Sequence, residues 1–416
     1  DWKVIEGNEE GGFLGYCQLE SEINITRYRR IRTKDRDQYQ LVFNVTPFYA
    51  EGGGQIGDTG TIVSEDETID IVNCKKENKL IIHFTDILPK NIKTTFTAKV
   101  DIHNRMTCSK NHTATHLLHE SLRSVLGEHV SQKGSLVNPE YLRFDFTHFS
   151  KIPSQDLQKI EDDVNKKILA NIPLNEHKDL SLKEAENMGA LMLFGERYED
   201  LVRMIQFDTS KELCGGTHVN ATGEIGLLKI VAEGSISSGF RRIEAVTGMK
   251  AITHLNTKAN LVDDLGKIVK NKDVKKAVNQ LIIQNKELEK QISQIKKDNA
   301  SNIREELLNQ AINVKGVRLI SQEVALDADD MKTIVFDLRK EKKLVVVLGA
   351  RMKEKALLTI MLTDDLVADG LNASELIKEL AKDIKGSGGG QSFFATAGGS
   401  NPKGIGKALE KVKLLI

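Results

Sequence analysis

The chain has little cysteine: Cys17, Cys74, Cys108 and Cys214 are its four among 416 residues. Thiols so few and so scattered do not build a disulfide framework, and a reducing, cytoplasmic setting fits them best. Long apolar runs are lacking too. No stretch approaches the roughly 20 residues that a membrane-spanning helix needs, and there is no secretory signal. Net charge is also missing, since 59 basic residues balance 59 acidic ones. Such a balance does not advertise a nucleic-acid binder, although it says nothing against local patches. The first residue is Asp1 rather than a methionine, so we expect a piece of something larger. What is present is ordinary globular material, 40% hydrophobic and 28% charged. Its length suggests two to four domains.

The most informative stretch is Asn111–His119 (NHTATHLLH), read together with Cys214–His218 (CGGTH) far downstream. On a helix, His112 and His116 are one turn apart and project from one face. Cys214 and His218 sit on a glycine-rich segment, whose flexible backbone can fold a thiolate and an imidazole toward one point. Two nitrogens from a helix with one sulfur and one nitrogen from a loop make a zinc-type donor set. A lone HxxxH is weak, because histidines at helical spacing are common in cores; the second pair of the same spacing makes the signal specific. His119 could share the helix face, but we read it as a packing or supporting residue.

Along the chain, residues 1–100 carry short β-type runs at Tyr39–Val45, Gly60–Val63, Leu80–Phe84 and Thr95–Val100. Glycine, asparagine and aspartate punctuate them, which suggests a small β-barrel. Gly52–Gly57 (GGGQIG) matches GxGxxG formally, yet Asp58-Thr59-Gly60 follows where a helix should start, so a dinucleotide site is not expected. Arg27–Lys34 holds a dense run of positive charge, either a basic stripe or a charged edge strand. From His103 the pattern turns helical and ends at Gly127; helices are also expected over Pro153–Ala170 and Ser181–Met188, the latter with a Ser181/Glu184 capping box. Strands are expected over Gly134–Val137, Tyr141–Phe146, Leu201–Phe207 and Ile225–Glu233. Val274, Val278, Leu281, Leu288, Ile292 and Ile295, with Asn285 and Asn299 at seam positions, give a coiled-coil register; an intramolecular hairpin is the simpler alternative. The remainder reads as an α/β domain that ends in the glycine run Gly386–Gly390 and a lysine-bearing helix with Lys403, Lys407, Lys411 and Lys413. Exposed amides beside aromatics and lysines suit RNA.

The pairing of HTATH with CGGTH, joined by Ser131–Leu136 (SQKGSL), Thr46–Gln55 (TPFYAEGGGQ) and Arg241–Ala245 (RRIEA), resembles the editing domain of alanyl-tRNA synthetases. The tail is similar to the C-terminal domain of the same family and of DHH-type phosphoesterases, but no Asp-His-His motif occurs. The resemblance covers nearly the whole chain. It implies an α+β chain: residues 1–100 as a β-barrel part of the editing region, 101–249 as a zinc-binding editing domain of the threonyl/alanyl second-additional-domain type, 250–310 as a helical linker, and 311–416 as an α/β domain for tRNA binding and dimerisation. The implied activity is hydrolysis of serine or glycine wrongly esterified to alanine tRNA. Its implied partners are that tRNA and a second copy of the chain, with no membrane.

On this resemblance one zinc ion is held by His112, His116, Cys214 and His218. Four protein ligands close a tetrahedral site, whereas chemistry at the metal wants a labile position, which we favour. Gln132, with His116 and Cys214, makes up the catalytic set; its amide can bond a serine hydroxyl or orient a water. Neither Cys108 nor Cys214 reads as a nucleophile. Arg241, Arg242, Gly53, Gly54, Gln55, Gly389, Gly390 and Lys403 are the expected RNA contacts, with Glu244 a rival partner for one of the arginines. Gly53 stands where the family often has serine. The class II aminoacylating domain is not evident. A free-standing editing factor, and a non-catalytic RNA-binding and dimerisation module with structural zinc, are the rival readings.

Overall fold

A computed structural model describes residues 1–5, 12–32, 37–192, 198 and 200–416, the side chains of 296, 297 and 299–301 apart. The chain forms two compact units, Asp1–Asp264 and Leu265–Ile416.

The first unit begins with two antiparallel sheets. One runs in the order Lys3–Val4, Ile25–Arg32, Asp37–Phe43, Leu80–Thr85, Asn73–Glu77, and the other Glu20–Ile23, Phe96–Val100, Gly60–Val63, Thr68–Ile71. Alternation decides which side chains enter: Thr68–Ile71 reads exposed, buried, exposed, buried, so Ile69 and Ile71 face inward. There they meet Ile23, Leu41, Phe43, Ile62 and Phe96 from both sheets in one core. The expected barrel is therefore two ladders over a shared core. Consecutive strands Thr68–Ile71 and Asn73–Glu77 pair in different sheets, and among the described residues no ladder joins the two. The basic run lies on Ile25–Arg32, where Arg29 bonds Glu77 at 2.8 Å and Arg30 pairs with Asp37; Thr33 and Lys34 lie outside the described residues. The run is thus a charged strand with matched carboxylates rather than an open stripe.

Helix α1 (Ile102–Leu126) follows, capped by Asp101, whose side chain accepts from the Asn104 amide at 3.0 Å. It stops at Gly127, which sits at φ 115°. Leu117, Leu118 and Leu122 of α1 pack with Ile160, Val164 and Ile168 of α2 (Ser154–Leu169). Both helices cover a sheet ordered Gln132–Val137, Leu142–Thr147, Phe240–Thr247, Leu228–Ser237. A fourth sheet, Asn175–Ser181, Leu201–Phe207, Ser210–Leu213, carries α3 (Leu182–Asn187) with the expected capping box. The strands Asn175–Ser181, Ser210–Leu213 and Phe240–Thr247 were not expected from the sequence. The first is charged and half-exposed throughout, so it offers no apolar alternation to read.

Helix α4 (Gly248–Ile268) spans the cut between the units, and α5 (Val274–Asn309) belongs to the second. The register positions Val278, Leu281, Leu288, Ile292 and Ile295 are exposed along α5. Asn285 bonds Glu289 of its own helix at 3.2 Å, and the Asn299 side chain is outside the described set. The six-stranded sheet that follows runs Ile312–Val314, Val317–Glu323, Leu344–Met352, Lys355–Leu362, Phe394–Gly399, Gly386–Gly390. Val317–Glu323 and Leu344–Met352 are parallel. Alternation in Leu344–Met352 feeds two cores. Leu344, Val346 and Leu348 meet α6 (Ala328–Leu338), while Val345 and Val347 face the side covered, beyond the short α7 (Asp364–Ala368), by α8 (Ala373–Ala381) and α9 (Ile405–Leu415). The glycine run is not an open loop. It is the edge strand, paired on one side with Phe394–Gly399. Lys403 lies in the turn before α9 rather than on it, and Lys407 and Lys411 both pair with Asp383.

Two residues tie these layers to measurable stability. Arg105, 3% exposed on α1, donates to Asp58, to the Gly15 carbonyl at 2.6 Å and to the Pro47 carbonyl at 2.8 Å. Arg105→Ala leaves Asp58 buried and unpaired and should cost about 3–5 kcal/mol in urea unfolding. His83 is fully buried, stacked on Phe43 at 3.8 Å, and burial pushes its ring down to about 3 from 6.5. Between those values the unfolded ring binds a proton and the folded one does not, so stability falls as pH drops through that window. His83→Phe should therefore lose less stability than wild type between neutral pH and pH 5, measured by denaturant titration at both.

Candidate metal centre

His112 and His116, each 4% exposed, stand one turn apart on α1 with ring centroids at 5.3 Å. The strand Ser210–Leu213 delivers Cys214 opposite them, and the Gly215-Gly216 backbone turns His218 back toward the same point. Donor atoms of His112, His116, Cys214 and His218 all lie within 4.8 Å of one another. Cys214 Sγ is 3.3 Å from His112 Nε2 and 3.4 Å from His218 Nε2, and it accepts from the Gly216 amide at 3.3 Å. A side chain at position 216 would drive its Cβ to 2.0 Å from the His112 ring, so the close approach requires glycine there.

The surroundings settle which nitrogens carry protons. Gln55 Oε1, an obligate acceptor, lies 2.8 Å from His112 Nδ1, so Nδ1 donates and Nε2 turns its lone pair to the cluster. That oxygen also accepts from the Thr217 amide at 3.0 Å, while the Gln55 amide donates to Thr217 Oγ1 at 2.9 Å. Thr113 Oγ1 lies 3.0 Å from His218 Nδ1 and holds that ring in place. Glu212 spans the third: one oxygen is 3.5 Å from His116 Nε2 and the other 2.9 Å from His119 Nδ1. His119 thus supports the carboxylate and stays outside the donor set, as its sequence position suggested. Burial pushes His112 and His218 well below the ordinary imidazole range, helped by the neighbouring His116. It lowers His116 as well, against the pull of Glu212. Neutral imidazoles are the ligating form.

These residues fit a zinc ion. Three nitrogens and a sulfur converge, two rings have their second nitrogen held by an oxygen, and His116 Nδ1 is buried with no hydrogen-bond partner. The cluster borders a cavity of about 840 Å³, to which Gln132, Thr115, Gly53, Tyr16 and Arg203 also contribute. Gln132 begins its strand at a β-bulge and lies 3.5 Å from Ser135 Oγ. Gly53 (φ 57°) faces open space, whereas Gly54 packs so closely on Ser135 that a Cβ would meet its Oγ at 2.0 Å. Thr115 spends its hydroxyl on the Asn111 carbonyl at 2.8 Å.

Three expected RNA contacts are placed otherwise. Gln55 is 1% exposed and engaged on all sides behind His112. Arg241 is buried against Glu233, and Arg242 makes a two-pronged pair with Asp145 at 2.7 Å for each prong. Neither arginine takes Glu244 as its ion-pair partner, because Glu233 and Asp145 are the carboxylates within reach of their guanidinium groups. Gly389, Gly390 and Lys403 belong to the second unit. The sequence reading missed Thr113 and Glu212. Both had a signal, a hydroxyl between the ligand histidines and a lone acid two residues before Cys214.

Comparison with known proteins gives the same direction. Three family models match: tRNA synthetases class II (A) over residues 3–106, the threonyl and alanyl tRNA synthetase second additional domain over 202–244, and the DHHA1 domain over 316–416. The alanine–tRNA ligase of Bacteroides fragilis is 48% identical over 416 residues, which are 99% of this chain and 48% of that protein. The chain belongs to the alanyl-tRNA synthetase family. A second family member, the alanine–tRNA ligase of Christiangramia forsetii, is 45% identical over 421 residues, 100% of this chain and 48% of its own length. The chain spans about half the length of these curated relatives. The class II match falls on the two β-layers, which the sequence reading had given to the editing region alone. Among solved structures, the C-Ala domain from Aquifex aeolicus alanyl-tRNA synthetase is similar at 27% identity, covering 26% of this chain and 96% of that one, with a TM-score of 0.24. Among the described residues no helix is long and apolar enough to cross a membrane.

Gln55→Leu removes the acceptor behind His112 without touching a ligand. We expect zinc affinity, measured by chelator competition, to fall about 10- to 100-fold, with His116→Ala losing more.

Proposed function

We propose that this chain hydrolyses the ester joining serine or glycine to alanine tRNA, with one zinc ion held by His112, His116, Cys214 and His218. The observation that carries this is the convergence of those four donors beside a cavity that Gln132 also lines. The fit with the second-additional-domain match supports it. Residues 1–249 act here as the editing region, 250–310 as a helical linker, and 311–416 as the tRNA-binding and dimerising part, in a cytoplasmic setting.

The cavity's own residues supply recognition. The Gln132 amide donates to the hydroxyl of a serine ester, and an alanine ester offers it no such partner. Rejection by an unmet hydrogen bond discriminates more sharply than rejection by size. For a glycine ester the same amide orients the attacking water. Gly53, with no side chain in the cavity, leaves room for the terminal ribose. When bound, zinc supplies Lewis acidity beside the ester. Cys214 is a ligand here and not a nucleophile, since metal ligation uses its thiolate. Gly389 and Gly390 on their edge strand, and Lys403 beside α9, remain the candidates for contact with the rest of the tRNA.

One observation favours a second reading. Four protein donors fill a tetrahedral shell, which is the habit of structural zinc, and would suit a non-catalytic RNA-binding module. Serine release from seryl-tRNA of alanine identity separates the two. Wild type should release serine, Cys214→Ala should not, and Gln132→Ala should retain zinc yet be slower by about 100-fold, the usual loss of one oriented donor. Equal background rates in wild type and Cys214→Ala would leave only the binding module.

A further inference from the structure

The Cys214–Gly216 loop that carries the sulfur is glycine-rich, and a loop of that composition does not hold a thiolate in place by its own stiffness. Something outside must fix it. All three of its carbonyls are held from outside. Arg203 Nη1 donates to the Cys214 carbonyl at 2.9 Å and to the Gly216 carbonyl at 2.8 Å. The Tyr16 hydroxyl donates to the carbonyl between them, Gly215, at 2.6 Å. The two clamping residues also hold each other, because the Arg203 guanidinium lies over the Tyr16 ring at 4.0 Å. Glu176 accepts from Arg203 Nε at 2.5 Å and fixes the guanidinium plane from the far side.

We propose that Arg203 and Tyr16 are positioning residues of the metal centre: together they pin three successive carbonyls of the Cys214–Gly216 loop and so aim the Cys214 sulfur at the histidines of α1. The three parts come from separate places in the sequence. Arg203 lies on the strand Leu201–Phe207, adjacent in the sheet to the strand that leads into Cys214. Tyr16 comes from the first β-layer, where Phe13 packs edge-on against it at 4.8 Å. The clamp therefore joins the layer beginning the chain to the loop completing the donor set. A planar fork can serve two carbonyls and a carboxylate at fixed angles; an ammonium at the same place keeps the charge and loses the angles.

The test uses the full chain with zinc and with cobalt(II) in its place. Arg203→Lys should lower zinc affinity about 10- to 100-fold in chelator competition, the range seen when groups that orient ligands are lost. It should also weaken the thiolate-to-cobalt absorption, because the sulfur no longer sits at bonding distance. Tyr16→Phe, which removes one oxygen, should shift both readouts in the same direction by less, and it keeps the test open if Arg203→Lys does not fold. Wild-type affinity and an unchanged cobalt spectrum in both variants would overturn the clamp. The proposal rests on the metal reading of the four-residue cluster. A wild-type chain that binds neither zinc nor cobalt sinks that reading and the clamp together, whereas normal binding by both variants sinks the clamp alone.

Discussion

Three imidazoles and a thiol gathered at one buried point are tolerable only if each ring is told which nitrogen carries its proton. Buried polar atoms that find no partner cost far more than paired ones return. Here Gln55 gives the instruction to His112, and Thr113 orients His218, each placing an oxygen behind the ring at 2.8 and 3.0 Å. Those two contacts turn two Nε2 atoms toward Cys214. The rest of the first unit is arranged so that these oxygens are where they must be. Gln55 follows Gly53 and Gly54, whose positive φ values bend the chain inward, and Thr217 then grips its amide from the loop side.

The same dependence explains why a β-layer precedes the helix. Arg105, one turn above the start of α1, reaches into that layer and takes Asp58 and two carbonyls. This fixes how the helix meets the strand-to-strand connection 44–59, and Gln55 is part of that connection. α1 is then held along its length by Leu117, Leu118 and Leu122 in the core beneath. Helix, β-layer and cysteine loop are thus three bodies locked by a handful of buried polar contacts. The apolar cores give each body stability, while the polar contacts set their mutual geometry.

What could be read from the sequence follows from how local each signal was. α1 was legible because periodicity, the Gly127 stop and the His112/His116 spacing all lie within one helix. The donor set was legible because a second pair at the same spacing is rare by chance. Gln55 was misread because its run, Gly52–Gly57, looks like an exposed ligand loop. Its burial depends on Thr217, which is remote in sequence. The ion-pair partners of Arg241 and Arg242, Glu233 and Asp145 rather than Glu244, are hidden for a similar reason. Asp145 stands opposite Arg242 only once the strands Leu142–Thr147 and Phe240–Thr247 are paired in register, and that second strand had been read only as a motif. The glycine run at 386–390 carries no strand signal of its own. Glycine is a poor strand former, and here the neighbouring strand Phe394–Gly399 imposes the extended form.

Glu212 is buried, and burial alone would raise its pKa, yet His116 and His119 hold the carboxyl below its ordinary range. It is therefore an anion in a water-poor place. The Cys214 sulfur, receiving the Gly216 amide and facing two imidazole nitrogens, is placed as a thiolate ligand would be. A carboxylate and a thiolate ligand here would make two negative charges with the His116 ring beside both. A divalent cation held by the four donors would meet both charges at once. Glu212 thus acts on the donor cluster through the His116 ring, which gives a reason for an acid at that position that packing alone does not supply.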